Sequence, residues 1–545
     1  MHSKAITFQE LQRALHDGQE LALLDVREDG EFGEGHLLFA IPLPYSVLER
    51  RVTSLVPRRS TRIVLCDDGD SHVAQQSQTR LEAMGYTNCA VLEGGLRAAQ
   101  SLGHPIFKGV NVPSKLFGEL VEHVYGTPRL TARQLAEMRQ SGDDVVVIDG
   151  RPVHEHHKMT IPGSICCPNG ELPYRIADLV KKPTTKVVIN CAGRTRSILG
   201  AQTLINFGIE NPVFALENGT QGWALADLDL EYGSRERYPD EAQAARQQPE
   251  TLAHRRAAAQ QMMDRHQVSW VSGDVLNEWR KDTTRTTYLC DVRTPEEFAR
   301  GSYPGAVNAP GGQLIQATDQ WIGVRCARIV IADGGDHVRA PSVASWLRQL
   351  GHETYVLDTS TADRIDPVSD MSWSAEKLPD PVSPDVLLEA IQQGKALVVD
   401  LGSSMDFRRG HIPGSHWVSR RNLARWVAST VTVRPDLERI VLLADDDAKA
   451  YLAATELHGE KQKQPLRVQI LTGGMGAWRS AGLPIEATPD QPGDADCIDF
   501  LFFVHDRHSG NRDAMRQYLA WETGLMAQVT EEDKKLFTLY EQVHG

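Results

Sequence analysis

The chain has 545 residues, 41% of them hydrophobic and 24% charged, with a formal net charge of -14. One core rarely grows past roughly 250–300 residues, so several ordinary globular units are expected. The acidic balance argues against nucleic acid or an anionic membrane as partner, and an anionic substrate would need a local positive field.

The opening MHSKAITFQELQRALHDGQE has no apolar run of the signal-peptide kind, and no later stretch approaches the ~20 apolar residues of a membrane helix. The expected location is the cytosol. There the eight cysteines, at 66, 89, 166, 167, 191, 290, 326 and 497, are thiols rather than a disulfide frame. No CxxC pair exists, and Cys166-Cys167 has no second pair to complete a zinc site. No metal and no cofactor are expected.

Along the chain one pattern recurs four times. It opens on an apolar run ending in Asp: LALLDVR at 21–27, VVVIDGR at 145–151, TTYLCDVR at 286–293 and ALVVDLG at 396–402. A second run follows: RIVLC at 62–66, KVVINC at 186–191, RIVIA at 328–332 and RIVLL at 439–443. From the Asp to the last residue of the second run the distance is 41, 42, 41 and 43 residues. Between them lies a turn, IPGS at 161–164, YPGA at 303–306 and HIPGS at 411–415, with a degraded GHLLFAIPLP in the first copy. A helical stretch and a third short strand close each copy. Short apolar runs alternating with helical segments predict βα units on a parallel sheet.

The expected units are 1–108, 109–235, 269–372 and 373–488. Residues 231–268, polar and Ala-rich, read as a helical linker that divides the chain into two pairs of units, its core being 236–268. Residues 489–545 read as a linker and a mostly helical C-terminal segment that is not a fifth copy.

The Asp-x-Arg strand end, the HIPGS-type turn, the Cys-headed loop and the Gly-rich close that ends in Trp together resemble the rhodanese family over about residues 1–486. The second unit carries the motifs most fully, in Cys191-Ala-Gly-Arg-Thr-Arg-Ser and Glu217-Asn-Gly-Thr-Gln-Gly-Trp223. The resemblance implies an α/β protein of four tandem rhodanese-like domains, each a central parallel sheet flanked by helices. It also implies a sulfurtransferase that carries sulfur as a persulfide on Cys191.

The residues support that chemistry. Strand VVIN runs into Cys191, and a helix is expected to begin near Ser197. The thiol then lies between a strand's carboxyl end and a helix N-terminus, where ligands of open α/β sheets bind. Amides of Ala192, Gly193, Arg194, Thr195 and Arg196, the helix dipole and the two arginine charges all favour thiolate, so a lowered thiol pKa is expected. The substrate-binding set is taken as Ala192 through Ser197 with Arg151 and Trp223. Asp149–Arg151 also reads as a structural ion pair, and Trp223 as packing. The partners are a small sulfur donor, thiosulfate or an organic persulfide, and a thiol or other thiophilic acceptor. Neither nucleic acid nor membrane is expected, and a homodimer is compatible.

Counting along the repeat places Cys66, Ala332 and Leu443 at the position of Cys191. Three aspartates crowd Cys66, and Ala332 and Leu443 have no thiol, so the other three units read as inactive. Cys89 and Cys290 read as core, Cys166 and Cys167 as core or as resolving thiols, and HEHHK at 154–158 as a solvated loop. Two rivals remain. In a rhodanese-fold phosphatase the loop resembles Cys, five residues, then Arg, but Ser197 stands at that place. A scaffold without catalysis fits three degraded loops and not CAGRTRS.

Overall fold

The structure, a computed structural model, describes residues 4–239, 249–368, 380–434, 436–459, 466–508 and 510–539. The Asp-ended runs and the runs that follow them become the central strands of four five-stranded parallel sheets. The first holds β1 (Ala5–Ile6), β2 (Ala22–Asp25), β3 (Ile41–Pro42), β4 (Ile63–Cys66) and β5 (Cys89–Leu92), in the order β1-β5-β4-β2-β3. The second has β6 (Arg129–Leu130), β7 (Val145–Asp149), β8 (Ile165–Cys166), β9 (Lys186–Asn190) and β10 (Val213–Leu216), ordered β6-β10-β9-β7-β8. The same order recurs in β11 (Ser269–Val271), β12 (Thr287–Asp291), β13 (Val307–Asn308), β14 (Arg328–Ala332) and β15 (Glu353–Leu357). It recurs again in β16 (Pro381–Val382), β17 (Ala396–Asp400), β18 (His416–Trp417), β19 (Arg439–Leu443) and β20 (Arg467–Leu471). Helices cover both faces, which is why the central strands are apolar throughout rather than alternating.

Local signals set the units' edges. Thr7, Thr131 and Thr294 each cap a helix in a reciprocal box with Glu10, Gln134 and Glu297. The Asp-x-Arg strand end is a fork. Arg27, Arg151 and Arg293 each grip the Asp two residues earlier and donate to a carbonyl eight residues on, at Gly35, Met159 and Gly301, over 2.6–2.7 Å. Arg151 and Asp149 are fully buried in this clamp. In the fourth unit Gly402 has no side chain to make it, and its amide alone caps Asp400 at 2.8 Å.

Five helices matter for the site: α1 (Val112–Tyr125), α2 (Thr195–Asn206), α3 (Pro249–Arg265), α4 (Arg339–Gln349) and α5 (Arg512–Gln528). Within the expected linker 231–268, of which 240–248 lie outside the described residues, α3 packs against both neighbouring units. Ala259 and Met262 of α3 are buried with Phe207 of the second unit and Val338 of the third. Phe117 of α1 meets Trp346 of α4 edge-on at 5.8 Å, and Trp346 donates to Thr203 of α2 at 2.8 Å. Such an aromatic pair adds about 0.5–1.5 kcal/mol beyond its buried area. One hydrophobic core runs from Phe8 to Phe537 through the first three units and the C-terminal segment, while the fourth unit keeps cores of its own. The fourth unit docks on the first through a buried ion pair, Arg420 with Glu49 at 2.7 Å.

Candidate active site

Strand pairing aligns the four units residue by residue. Asp25 lies opposite Cys66, Asp149 opposite Asn190, Asp291 opposite Ala332 and Asp400 opposite Leu443. The residue in the second unit that corresponds to Cys66 is therefore Asn190. Cys191 corresponds to Asp67, Asp333 and Ala444, one position further on. This corrects the equivalence obtained by counting. Cys66 ends a strand inside the core, where burial pushes its thiol well up and Asp25 adds to that shift.

Cys191 follows β9 directly and α2 begins at Thr195, two residues before the expected start. An Asn218-Gly219 turn grips the loop from beside it. The Thr220 amide donates to the Cys191 carbonyl at 2.8 Å, and Gln221 Nε2 donates to the Ala192 carbonyl at 2.9 Å. Gly219 sits at φ +52 with no room for a side chain, since a Cβ there would stand 2.2 Å from the Cys191 carbonyl oxygen. Cys191 itself is 2% exposed. Its thiol donates to Ser197 Oγ at 3.6 Å, and Ser197 Oγ donates to the Arg194 carbonyl at 2.7 Å. Among the described residues none of the amides of Ala192 through Arg196 donates to a side chain.

The electrostatics differ from the expectation. Burial pushes the Cys191 thiol above its ordinary value, Arg196 and the Ser197 hydrogen bond pull it down, and Glu522 pushes it up. The thiol is raised rather than lowered because burial outweighs the pull of Arg196 and Ser197, and both loop arginines are themselves paired. Arg194 is gripped by Glu119 at 2.6 Å and by Glu122 at 2.5 Å, both from α1. Arg196 makes a double bond pair with Glu155 at 2.7 and 2.8 Å, holding that carboxyl at about 2 against the opposing effect of burial.

Cys191 opens on a cavity of about 200 Å³ whose other walls come from outside the loop. Lys115 of α1, Gln313 and Gln316 of the third unit, and Val504, Arg507, Tyr518 and Glu522 of the C-terminal segment line it, together with Ala192 through Arg196. Lys115 lies 4.8 Å over Trp521, donates to the Val110 carbonyl, and is pushed down to about 7 by burial, with Glu522 opposing. Arg507 stacks 3.5 Å over Tyr518. Among the described residues neither cation has a carboxylate within 4.0 Å. Glu522 accepts from Thr195 Oγ1 at 2.8 Å.

Of the expected site residues, Cys191, Ala192, Gly193, Arg194, Thr195 and Arg196 share the cavity and Ser197 backs the thiol. Arg151 and Trp223 do not line it. Arg151 is locked in its fork, and Trp223 packs among Leu135, Ile161 and Leu216 with Nε1 donating to the Asp229 carbonyl at 2.9 Å. The HEHHK run is a helix, Val153–Lys158, rather than a solvated loop. His156 is buried beneath it, Glu155 holds Arg196, and no metal-ligating cluster occurs among the described residues. Cys166 and Cys167 are both buried, with burial raising both thiols. Sequence reading missed Lys115, Arg507, Tyr518 and Glu522. The one signal in the sequence is the run FFVHDRHSGN at 502–511, which belongs to no copy of the repeat and contains Arg507.

The sister loops fill the same space differently. Asp67 accepts the amides of Gly69 at 2.9 Å and Ala74 at 3.1 Å, and Asp68 those of Asp70 and Ser71. Asp333 accepts Gly335 at 3.0 Å and Ala340 at 3.0 Å, and Asp336 accepts Val338 and Arg339. In these units carboxylates of the chain itself accept loop amides, whereas in the Cys191 loop no side chain among the described residues does so and the Ile198 amide donates to the Arg194 carbonyl at 3.1 Å.

Four sheets of one order, one of them leading into a loop headed by a thiol, define tandem α/β units. The chain belongs to the rhodanese-like domain family, which matches residues 7–102, 131–226, 272–363 and 383–481. A thiosulfate sulfurtransferase structure from Pseudomonas aeruginosa is 38% identical, covering 98% of this chain and 99% of its own, with a TM-score of 0.89. A Rhodopseudomonas palustris protein described as a possible tyrosine phosphatase is 32% identical over 21% of this chain and 93% of its own, with a TM-score of 0.19. The Alr3790 protein of Anabaena is 23% identical over 20% of this chain and 92% of its own, with a TM-score of 0.17. No curated protein matches the chain.

Proposed function

We propose that the chain is a sulfurtransferase that moves a sulfane sulfur from a small anionic donor to a thiophilic acceptor through a persulfide on Cys191. The observation that carries this is a thiol at the head of a loop whose amides, Ala192 through Arg196, donate to no side chain among the described residues, where the counterparts Asp67 and Asp333 themselves accept loop amides. A site that binds an internal anion in two units is suited to bind a persulfide anion in the third.

In the first half-reaction the Cys191 thiolate attacks the outer sulfur of thiosulfate or an organic persulfide. The S–S bond of the donor breaks and its electron pair leaves with sulfite or a thiolate. The new terminal sulfur carries the negative charge into the cradle. In the second half an acceptor takes that sulfur and Cys191 returns as thiolate, a ping-pong cycle that needs no cofactor. Because Arg194 and Arg196 are paired with glutamates, Arg507, joined by Lys115 where it is protonated, supplies the positive field for the donor. No helix of the described residues is long and apolar enough to cross a membrane. All eight cysteines are free thiols, which fits a cytosolic site of action.

The test is peptide-mapped mass spectrometry after thiosulfate treatment. The Cys191 peptide should gain the mass of one sulfur, and Cys191→Ser should lose both that mass and turnover. A persulfide found mainly on another cysteine, or full turnover in Cys191→Ser, would sink the assignment.

A further inference from the structure

Discharge of a persulfide onto a thiol has a proton to remove. A free thiol titrates near 8.5, so at neutral pH only a few per cent of it is the nucleophilic thiolate. Donor anions make no such demand.

Glu522 of α5 is 2% exposed and lines the Cys191 cavity. Its Oε1 is held by Thr195 Oγ1 at 2.8 Å. Its Oε2 is buried and has no hydrogen-bond partner among the described residues. That oxygen lies against the nucleophile loop: a Cβ on Gly193, two residues past Cys191, would stand 2.9 Å from it. The charged and titratable groups around Glu522 are Lys115 and Glu119 from α1, Cys191 and Arg194 from the loop, and Tyr518 from its own helix. None of them donates to Oε2. A buried carboxylate oxygen without a donor is unfavourable, and a carboxylate with one oxygen oriented and the other bare is the arrangement of a base awaiting its proton.

We propose that Glu522 is the general base for the acceptor thiol in the second half-reaction, an inference that rests on the sulfurtransferase reading. The acceptor S–H proton passes to Glu522 Oε2 while the acceptor sulfur bonds to the outer sulfur of the Cys191 persulfide. The persulfide S–S bond breaks and its pair returns to Cys191 as thiolate. Glu522 then hands the proton to the departing persulfide, so that a thiol has become a hydropersulfide. The base comes from the C-terminal segment, 327 residues from the Thr195 that holds it.

The experiment loads wild type and Glu522→Gln with thiosulfate, removes the donor, and follows single-turnover discharge by 2-mercaptoethanol or by sulfite. Sulfite reacts as an anion and needs no base. At neutral pH the thiol-to-sulfite discharge ratio should fall at least about 10²-fold in Glu522→Gln. The deficit should shrink as pH rises through the ionisation of the thiol. Thr195→Val, which only frees Oε1, should show a smaller deficit with the same recovery, and it serves if Glu522→Gln folds poorly. An unchanged ratio, or a deficit equal at every pH, overturns the assignment of Glu522 while leaving the persulfide in place. Failure of wild type to load any sulfur overturns the sulfurtransferase reading and this one with it.

Discussion

Cys191 and Asp333 stand at the same point of two sheets with the same strand order, each one residue past the strand residue that faces the strand-end Asp of its own unit, Asp149 or Asp291. Around Asp333 the loop is closed. Its carboxylate and that of Asp336 accept four amides at 2.9–3.0 Å, and Arg339 locks Asp336 at 2.8 Å. Around Cys191 the loop is tighter, its helix starting four residues on at Thr195 where those after Asp67 and Asp333 start six residues on, and the amides of Ala192 through Arg196 donate to no side chain among the described residues. The first unit repeats the closed version with Asp67. The difference lies in what completes the loop: in the first and third units an aspartate of the chain accepts its amides, and in the second a thiol stands at that place with no described side chain accepting them.

The most drastic way to break this contrast is Cys191→Asp, which gives the second unit the residue of the other two. Sulfur transfer should vanish, and hydrogen exchange of the amides from Gly193 to Ser197 should slow as the new carboxylate accepts them. Persistent turnover, or exchange as fast as in wild type, would show that the loops are not equivalent. In the opposite direction, Asp333→Ala removes an acceptor from buried amides. An unpaired buried donor costs about 1–3 kcal/mol. A matching loss should appear in the denaturant midpoint, whereas Cys191→Ala, which orphans no amide, should cost less. Equal losses would mean that Asp333 does not stabilise its loop. The smallest effect sharpens the account of charge. Arg507→Met should raise the KM for thiosulfate about tenfold, equivalent to about 1.4 kcal/mol, with little change in unfolding. Arg194→Met should instead mainly lower stability, because it strands Glu119 and Glu122. The reverse pattern would return donor binding to the loop arginines.

The four-unit fold was legible because its markers are local. An apolar run closed by Asp, a Thr-headed helix cap and a Pro-Gly turn are each written in a few adjacent residues. The equivalence of the loops was misread by one residue because KVVINC does not reveal that β9 pairs only as far as Asn190, and hydrogen-bond register is not a property of composition. The partners of Arg194 and Arg196 were invisible for a related reason. Glu119 and Glu122 share one face of α1, but nothing in their spacing says which loop that face meets. Glu522 and Arg507 lie furthest from sequence reading, since they belong to no copy of the repeat and reach the thiol only through the packing of α5 on α1.

That packing also bears on the order of synthesis. The Cys191 loop is translated long before the residues that roof it, and 327 residues separate Thr195 from Glu522. At about 5–20 residues per second, ribosomes take roughly 15–65 seconds to cover that distance. Throughout that interval the nascent chain carries Cys191 without the Arg507 cation and without Glu522. An unfinished chain thus holds Cys191 in a loop without its roof, and the cavity around the thiol is complete only when the last helices dock.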